Sequence, residues 1–471
     1  MKSAGSAVAR VREVASEELV ERLLHLDGTR LRSASAPEAP RAPDRDTAVD
    51  FDVVLAGGGL WLVIAPLLAS RGLKVAVLDR ARAGSAHREW NASGPELETL
   101  VRSGLFRRDE LNELIVARYD RGFCRFHNGG TYDVPNVLDH AVDAGPLLSK
   151  VRSIAEARGV TFFDHHEIVS EAAGRTAIAI RAKNGTDRVE LVARWMVDAR
   201  GAASPYASAD LVCPTVGGVI SGLDEGDGPL EVDPRAGEIL VTVDPIDPAT
   251  RRQHVWEGFP GRHGELTTYV FYYARAEERV SLVELYGRFF DTLSTYKRGD
   301  AKLVRPTFGF IPGWSRLSAM PAAPPRIVLV GDAAARHSPL TYCGFGATLR
   351  SFEGTARAIA NAVERGHSRV DLADHEAIHS LTGALAHMMS ARGFSGDELN
   401  DLLDAAFATL HRMGPDAYAS LLRDEMRPAR FVEFLRKTAA LHPRVWGKVA
   451  RGLGVRAAGK WSLGVARSMF S

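Results

Sequence analysis

The most constraining stretch of the chain runs from Phe51 to Asp79. Phe51-Asp-Val-Val-Leu-Ala56 is a short apolar strand, Gly57, Gly58 and Gly59 form a turn, residues 60–71 read as a helix, and Lys74-Val-Ala-Val-Leu-Asp79 is a second strand. Two apolar strands joined by a helix within about thirty residues form a βαβ unit with parallel strands. Such strands are buried on both faces, so helices must cover both sides of their sheet, and the chain is committed to an α/β fold. With 471 residues, 45% of them apolar, there is material for several domains.

The glycines carry a further meaning. A dinucleotide-binding loop uses its first glycine for a tight turn, its second for close backbone approach to a diphosphate, and its third for helix–strand packing. Gly57 and Gly59 fill the first two places, but Leu62 stands in the third, after Trp61. Pro66 is another departure, since proline inside a helix costs ~3 kcal/mol. Asp79 closes the second strand about twenty residues on, where a carboxylate can bind ribose hydroxyls, and Arg80 follows it. Two more strand ends have the same character: Asp198-Ala-Arg-Gly201-Ala-Ala-Ser204 and Val330-Gly331-Asp332-Ala-Ala. Three such ends suit one long dinucleotide lying across the carboxyl edge of a sheet.

Elsewhere, residues 11–26 have the spacing of an amphipathic helix, and the proline-broken segment 33–50 reads as a linker. Strands are expected at 160–164, 176–181, 189–198 and 325–332, a sheet over 212–310, a helix over 349–365, and helices from 372 onward. The expected organisation is an N-terminal helix and linker (1–49), a discontinuous nucleotide-binding domain (50–205 and 325–368), an inserted β-rich substrate domain (206–324), and a basic helical region (369–471).

These segments, in this order, resemble the Cru-type lycopene cyclases and their paralogs, flavoproteins of the glutathione-reductase type. The resemblance is carried by Arg88-Glu-Trp-Asn91, Asn136-Val-Leu-Asp-His-Ala-Val142, His254-Val-Trp-Glu-Gly-Phe-Pro260, Thr267-Thr-Tyr-Val-Phe-Tyr-Tyr273, Phe308-Gly-Phe-Ile-Pro312 and the run from Gly331 to Gly346. It implies a Rossmann-like FAD-binding domain with an inserted β-sheet substrate domain. Asp332 would bind the ribityl chain and Asp79 the adenosine ribose. Gly57, Gly58, Gly59, Arg80, Arg88, Asp198, Gly201, Gly331, Gly344 and Gly346 complete the expected cofactor set. The implied activity is redox-neutral ring closure of lycopene with reduced flavin, NAD(P)H being a candidate reductant. The alternatives are an FAD-dependent hydroxylase or isoprenoid reductase, and a non-catalytic carotenoid- or cofactor-binding paralog.

Protonating an olefin requires an acid that stays uncharged at neutral pH. Glu257, among the aromatics of Trp256-Glu-Gly-Phe-Pro260, is the candidate, because burial raises a carboxylate pKa. Its structural alternative is a strand glutamate facing solvent or paired with arginine. Trp256, Phe259, Tyr269, Phe271, Tyr272 and Tyr273 are candidate cation stabilisers, but strand alternation puts only some of them on one side. Arg88 and Glu89 either reach the flavin edge or pair with each other. Asp164-His-His-Glu167 is split across strand faces and predicts no metal site.

Net charge is +1, which gives no global field for nucleic acid, and three scattered cysteines suit a reducing cytosol. The start of the chain leads into a charged helix pattern and not an apolar signal core. No apolar run is long enough to span a bilayer. Residues 427–471 nevertheless carry ten Lys or Arg against one acid, Glu433, interleaved with Phe431, Phe434, Trp446, Trp461 and Phe470. That composition suits a segment lying on a membrane surface, so the expected location is cytoplasmic and peripheral to the membrane, with a hydrophobic substrate as partner.

Overall fold

The computed structural model describes residues 2–28, 42–43, 47–86, 88–262, 264–317, 320, 322–335, 337–370, 372 and 379–468. Most of the predicted linker, and Phe470, lie outside them. The first sheet has seven strands. Phe51–Ala56 lies between Val75–Leu78 and the carboxyl half of Asp187–Asp198, parallel to both. Ile327–Leu329 continues the parallel set on the other side of Asp187–Asp198, and Thr161–Phe163 flanks Val75–Leu78. The amino half of Asp187–Asp198 instead pairs antiparallel with Ile178–Asn184.

The register of this sheet places the motif loops. Ala56 is level with Leu78 and with Asp198, and Asp198 is level with Leu329. The glycine turn, the 199–204 loop and Gly331-Asp332 therefore leave the sheet side by side at its carboxyl edge.

The segment after the glycines differs from expectation. Leu60–Ile64 is a 3₁₀ turn, and the α-helix covers only Ala65–Ala69, with Pro66 in its first turn. Proline is tolerated there because the missing N–H has no intrahelical acceptor to lose. Leu62 is fully buried in the same apolar cluster as Val53, Leu55 and Phe352, so it serves the layer between helices and sheet.

The second sheet has eight strands and begins earlier than its expected boundary at 206. Arg121–Arg125 pairs parallel with Ala236–Val241 and antiparallel with Thr131–Val134, so residues 121–134 belong here. The region expected to be sheet throughout also contains the helix Leu282–Tyr296. The N-terminal amphipathic segment is two helices, Lys2–Arg12 and Glu17–Gly28. Both pack behind this sheet: Val11, Val20 and Leu23 share a cluster with Phe289, and Asp27 Oδ1 accepts from Ser281 Oγ at 2.8 Å and the Val283 amide at 3.0 Å, capping the Leu282–Tyr296 helix.

Alternation divides the second sheet into two working faces. Trp256, opposite Val270, faces the helix Leu282–Tyr296 and stacks on Tyr296 at 4.5 Å. Val255 and Phe259 point the other way, into a cluster shared with Phe407, Tyr418 and Phe431 of the C-terminal helices. Trp256→Ala is therefore expected to cost ~3–5 kcal/mol in urea unfolding through lost packing, while Pro66→Ala changes stability by less than ~1 kcal/mol.

Candidate functional site

The glycine turn is locked to its neighbours. Gly57 has φ +105°, and a Cβ there would lie 2.6 Å from the Ala199 carbonyl oxygen, so only glycine fits against the adjacent strand end. The Gly58 amide donates to Asp79 Oδ2 at 2.6 Å and the Ala81 amide to Asp79 Oδ1 at 2.7 Å. Asp79 thus staples the turn, and each oxygen keeps a lone pair for a further donor. Beside Gly59 there is open space, with nothing within 4 Å of where a Cβ would stand.

Trp61 spans the gap to the third motif. Its Nε1 lies 2.8 Å from the Cβ position of Gly331, which has φ +57°. Two constraints therefore exclude any larger residue at 331. The indole N–H is buried and has no acceptor among the described residues, a condition that costs ~1–3 kcal/mol. Asp332 keeps 43% of its side-chain surface exposed, with His337 Nδ1 at 3.9 Å. Burial pushes the His337 pKa down and keeps the ring neutral. Gly201, with φ +65°, faces Asp332: its Cβ position is 3.9 Å from the Asp332 Cβ. Gly344, the first residue of the helix Gly344–Glu364, is open on its Cα face.

Of the other expected cofactor residues, Asp198 and Gly346 are engaged within the protein. Asp198 is fully buried and accepts from Arg200 Nη2 at 2.8 Å and Ser204 Oγ at 2.7 Å, so its carboxylate organises the 199–204 loop and faces no open space. Gly346 packs against the carboxylate of Glu96, which pairs with Arg350. Arg80 is exposed at the strand end. No ion pair joins Arg88 to Glu89 among the described residues. Glu89 instead accepts from Thr267 Oγ1 of the second sheet at 3.1 Å, and burial raises its pKa. Arg88 is close enough to Tyr269 to influence its ionisation.

Glu257 stands on the face of the second sheet that looks toward these loops. It is directly opposite Tyr269, which is opposite Gly217, which is opposite Thr307. The next row is Val255, Phe271, Thr215 and Gly309, and the Cα face of Gly309 is open. No hydrogen bond or ion pair reaches the Glu257 carboxyl among the described residues. Burial alone pushes its pKa up to about 8. The residue as a whole is half-buried. Phe259, Tyr269 and Phe271 share this face, whereas Trp256 and Tyr272 belong to the other, Tyr272 lying against His254 at 5.6 Å.

Several residues of the site escaped sequence reasoning. Arg22 of the second N-terminal helix has its pKa lowered by burial and by the charges of Arg80 and Arg88. Asp424 is buried, accepts from Thr341 Oγ1 at 3.0 Å, and ties the C-terminal helices to the loop before Gly344. Burial raises its pKa to about 6. Thr267, Arg22 and Asp424 carried no local signal, since each acts through a contact distant in sequence.

Taken together, the residues fit a dinucleotide. Glycine faces at 59, 309 and 344 are open, Asp332 is accessible, arginines border the edge, and a buried indole donor lacks an acceptor where phosphate oxygens would provide one. Among the described residues, no cluster of His, Cys, Asp or Glu could hold a metal ion.

No protein-family model matches this chain, and no curated protein does. Solved structures do share its fold, a flavoprotein and an FAD complex among them. A geranylgeranyl bacteriochlorophyll reductase-like protein from Thermoplasma acidophilum superposes with TM-score 0.60 at 15% identity, over 85% of this chain and 99% of that one. The halogenase PltM in complex with phloroglucinol and FAD gives TM-score 0.60 at 14% identity, over 89% and 96%. A flavoprotein/dehydrogenase from Cytophaga hutchinsonii gives 0.59 at 14%, over 83% and 99%.

The Glu257 environment has a measurable consequence without any ligand. The folded pKa, about 8, lies above the ordinary 4.5, so this group's contribution is fully present below pH ~4.5 and is lost as pH rises toward 8. Glu257→Gln removes that loss. The variant should match wild type near pH 4.5 and be more stable at pH 9 by up to a few kcal/mol, at ~1.4 kcal/mol per pH unit of separation. The dependence from Asp424, confined to the window from 3.8 to about 6, should remain. A pH-independent difference in melting temperature would contradict this environment.

Proposed function

We propose that this chain is an FAD-dependent enzyme that cyclises lycopene or a closely related linear carotene at a membrane surface. The observation that carries the reading is Glu257: an unpaired carboxyl whose pKa of about 8 keeps it protonated at neutral pH, on a face shared with Phe259, Tyr269 and Phe271. A partnerless acid on an aromatic wall suits proton transfer to a substrate that offers carbon in place of a polar acceptor.

In this reading the Glu257 O–H gives its proton to the terminal double bond of the polyene. The neighbouring double bond attacks the resulting tertiary cation and closes a six-membered ring. The Glu257 carboxylate takes back a proton from an adjacent carbon, so the acid is restored and the product is a neutral isomer of the substrate. Tyr269 and Phe271 flank the path of positive charge, each aromatic face contributing ~0.5–2 kcal/mol. Asp332 would hold the ribityl hydroxyls of FAD, Asp79 the adenosine ribose, and Gly57–Gly59 with Arg80, Arg88 and Arg22 the diphosphate side. When bound in its reduced form, with NAD(P)H as a candidate source of electrons, FAD would supply negative charge that favours a cation in the same chamber.

Membrane docking is assigned to the C-terminal helices. Leu441, Trp446 and Leu463 are exposed there among basic residues, and no helix among the described residues is long and apolar enough to cross a bilayer. A second reading, an isoprenoid reductase, draws on the fold shared with the geranylgeranyl bacteriochlorophyll reductase-like protein. Glu257 would serve there too, as the proton donor to a double bond.

Carotenoid analysis in a lycopene-producing host separates the two readings. Cyclisation gives ring products of unchanged mass, and reduction gives products heavier by two hydrogens. Glu257→Gln should lower turnover at least ~100-fold while leaving FAD content unchanged. For the cofactor, Asp332→Ala should strip FAD from the purified protein. Trp61→Phe, which keeps the bulk but removes the donor, should weaken FAD binding about tenfold, corresponding to a lost hydrogen bond. Tighter binding by Trp61→Ala would identify the indole as an obstruction.

A further inference from the structure

Between the second sheet and the C-terminal helices lies a cavity of about 100 Å³. Phe126, Leu240 and Val255 line it from the sheet, and Leu402, Ala406 and Trp446 from the helices. A water needs about 10–15 Å³ by this measure, so the space would admit roughly seven to ten waters, or roughly 200–300 Å³ of ligand.

Water has little to bond there. The wall is almost wholly apolar. The Thr341 hydroxyl donates to Asp424, the Thr438 hydroxyl to the Phe434 carbonyl, and the Tyr273 hydroxyl to the Leu340 carbonyl. An empty apolar void of this size costs on the order of 2 kcal/mol. The neighbouring core is otherwise dense, with Leu410, Phe431 and Tyr418 fully buried. A retained void of this kind is better explained by a ligand than by imperfect packing.

Its position indicates which ligand. Val255 is two residues from Glu257 on the same face of one strand, a separation of ~7 Å. At the opposite end, Trp446 is 39% exposed and Leu441, at the end of the preceding helix, 44% exposed. The cavity thus has at one wall Val255, which neighbours the acid along its strand, and at another the half-exposed Trp446 of the basic C-terminal region. No lining residue carries a charge, so neither a carboxylate nor a diphosphate would find a counter-ion inside, and burying either unpaired is prohibitive.

We propose that this cavity binds the trailing part of a linear hydrocarbon chain without polar groups, a polyene or isoprenoid hydrocarbon, while its reacting end lies beside Glu257. The proposal rests on the reading of that face as the reaction chamber, but the cavity can be tested without turnover. The full-length protein is titrated with 1,6-diphenylhexatriene, a fluorescent polyene without polar groups, and the bound probe is then competed with squalene or with oleate.

Wild type and Glu257→Gln should bind the probe alike. Squalene should displace it at least tenfold better than oleate. Ala406→Phe and, as an independent filling variant, Met389→Phe at another position of the cavity wall should each weaken binding at least tenfold at unchanged melting temperature. Absence of probe binding, equal competition by oleate, or indifference to the folded filling variants would overturn the proposal. If probe binding behaves as expected but the carotene host yields no ring products, the cyclase reading fails and the cavity assignment stands. Ring products with probe binding unaffected by either filling variant would overturn the cavity assignment and leave the cyclase reading in place.

Discussion

The strand Asp187–Asp198 holds the arrangement together. Its carboxyl half forms parallel ladders with Phe51–Ala56 on one side and Ile327–Leu329 on the other. Hydrogen-bond register in a parallel ladder is discrete, and a slip of one residue would reverse which side chains face the core. Because Ala56, Asp198 and Leu329 are level, three loops separated by well over a hundred residues of sequence emerge at one edge. The buried Asp198 then fixes the middle loop through Arg200 and Ser204. A motif residue that looks like a ligand is thereby spent on holding the loops that would surround one.

The second sheet works by alternation. One face is committed to the helix Leu282–Tyr296 and the N-terminal helices, and absorbs Trp256, Val270 and Tyr286. The other carries Glu257 and Tyr269 and then continues, through Val255 and Phe271, into the core shared with the C-terminal helices. An acid without a partner is destabilising when ionised, and its burial here is the kind of local conflict that folded proteins retain at functional positions. The same face continues, through Val255, into the wall of the apolar cavity.

Trp61 and Leu62 illustrate how adjacent bulky residues can have unrelated consequences. A 3₁₀ turn directs Leu62 into the layer between helices and sheet and sends Trp61 across to Gly331. Helix–sheet packing uses an isobutyl group where a glycine is usual. The indole forms a new wall beside the second loop, with an N–H that awaits an acceptor. Pro66, costly in a continuous helix, sits comfortably because the α-helix begins only at Ala65.

The sequence by itself determined what depends on local period and spacing. The strand–glycine–strand start, the Asp at each strand end, and the grouping of Glu257 with Phe259 follow from alternation and turn chemistry, which act over a few residues. Tertiary structure alone decided which long-range partner each group finds. It assigned residues 121–134 to the second sheet, gave Glu89 to Thr267, brought Arg22 toward Arg80 and Arg88, and tied Asp424 to Thr341. It also left Glu257 without a partner among the described residues, which no periodicity encodes. Pairing between distant residues depends on how sheets and helices pack, and that packing is set by the whole chain.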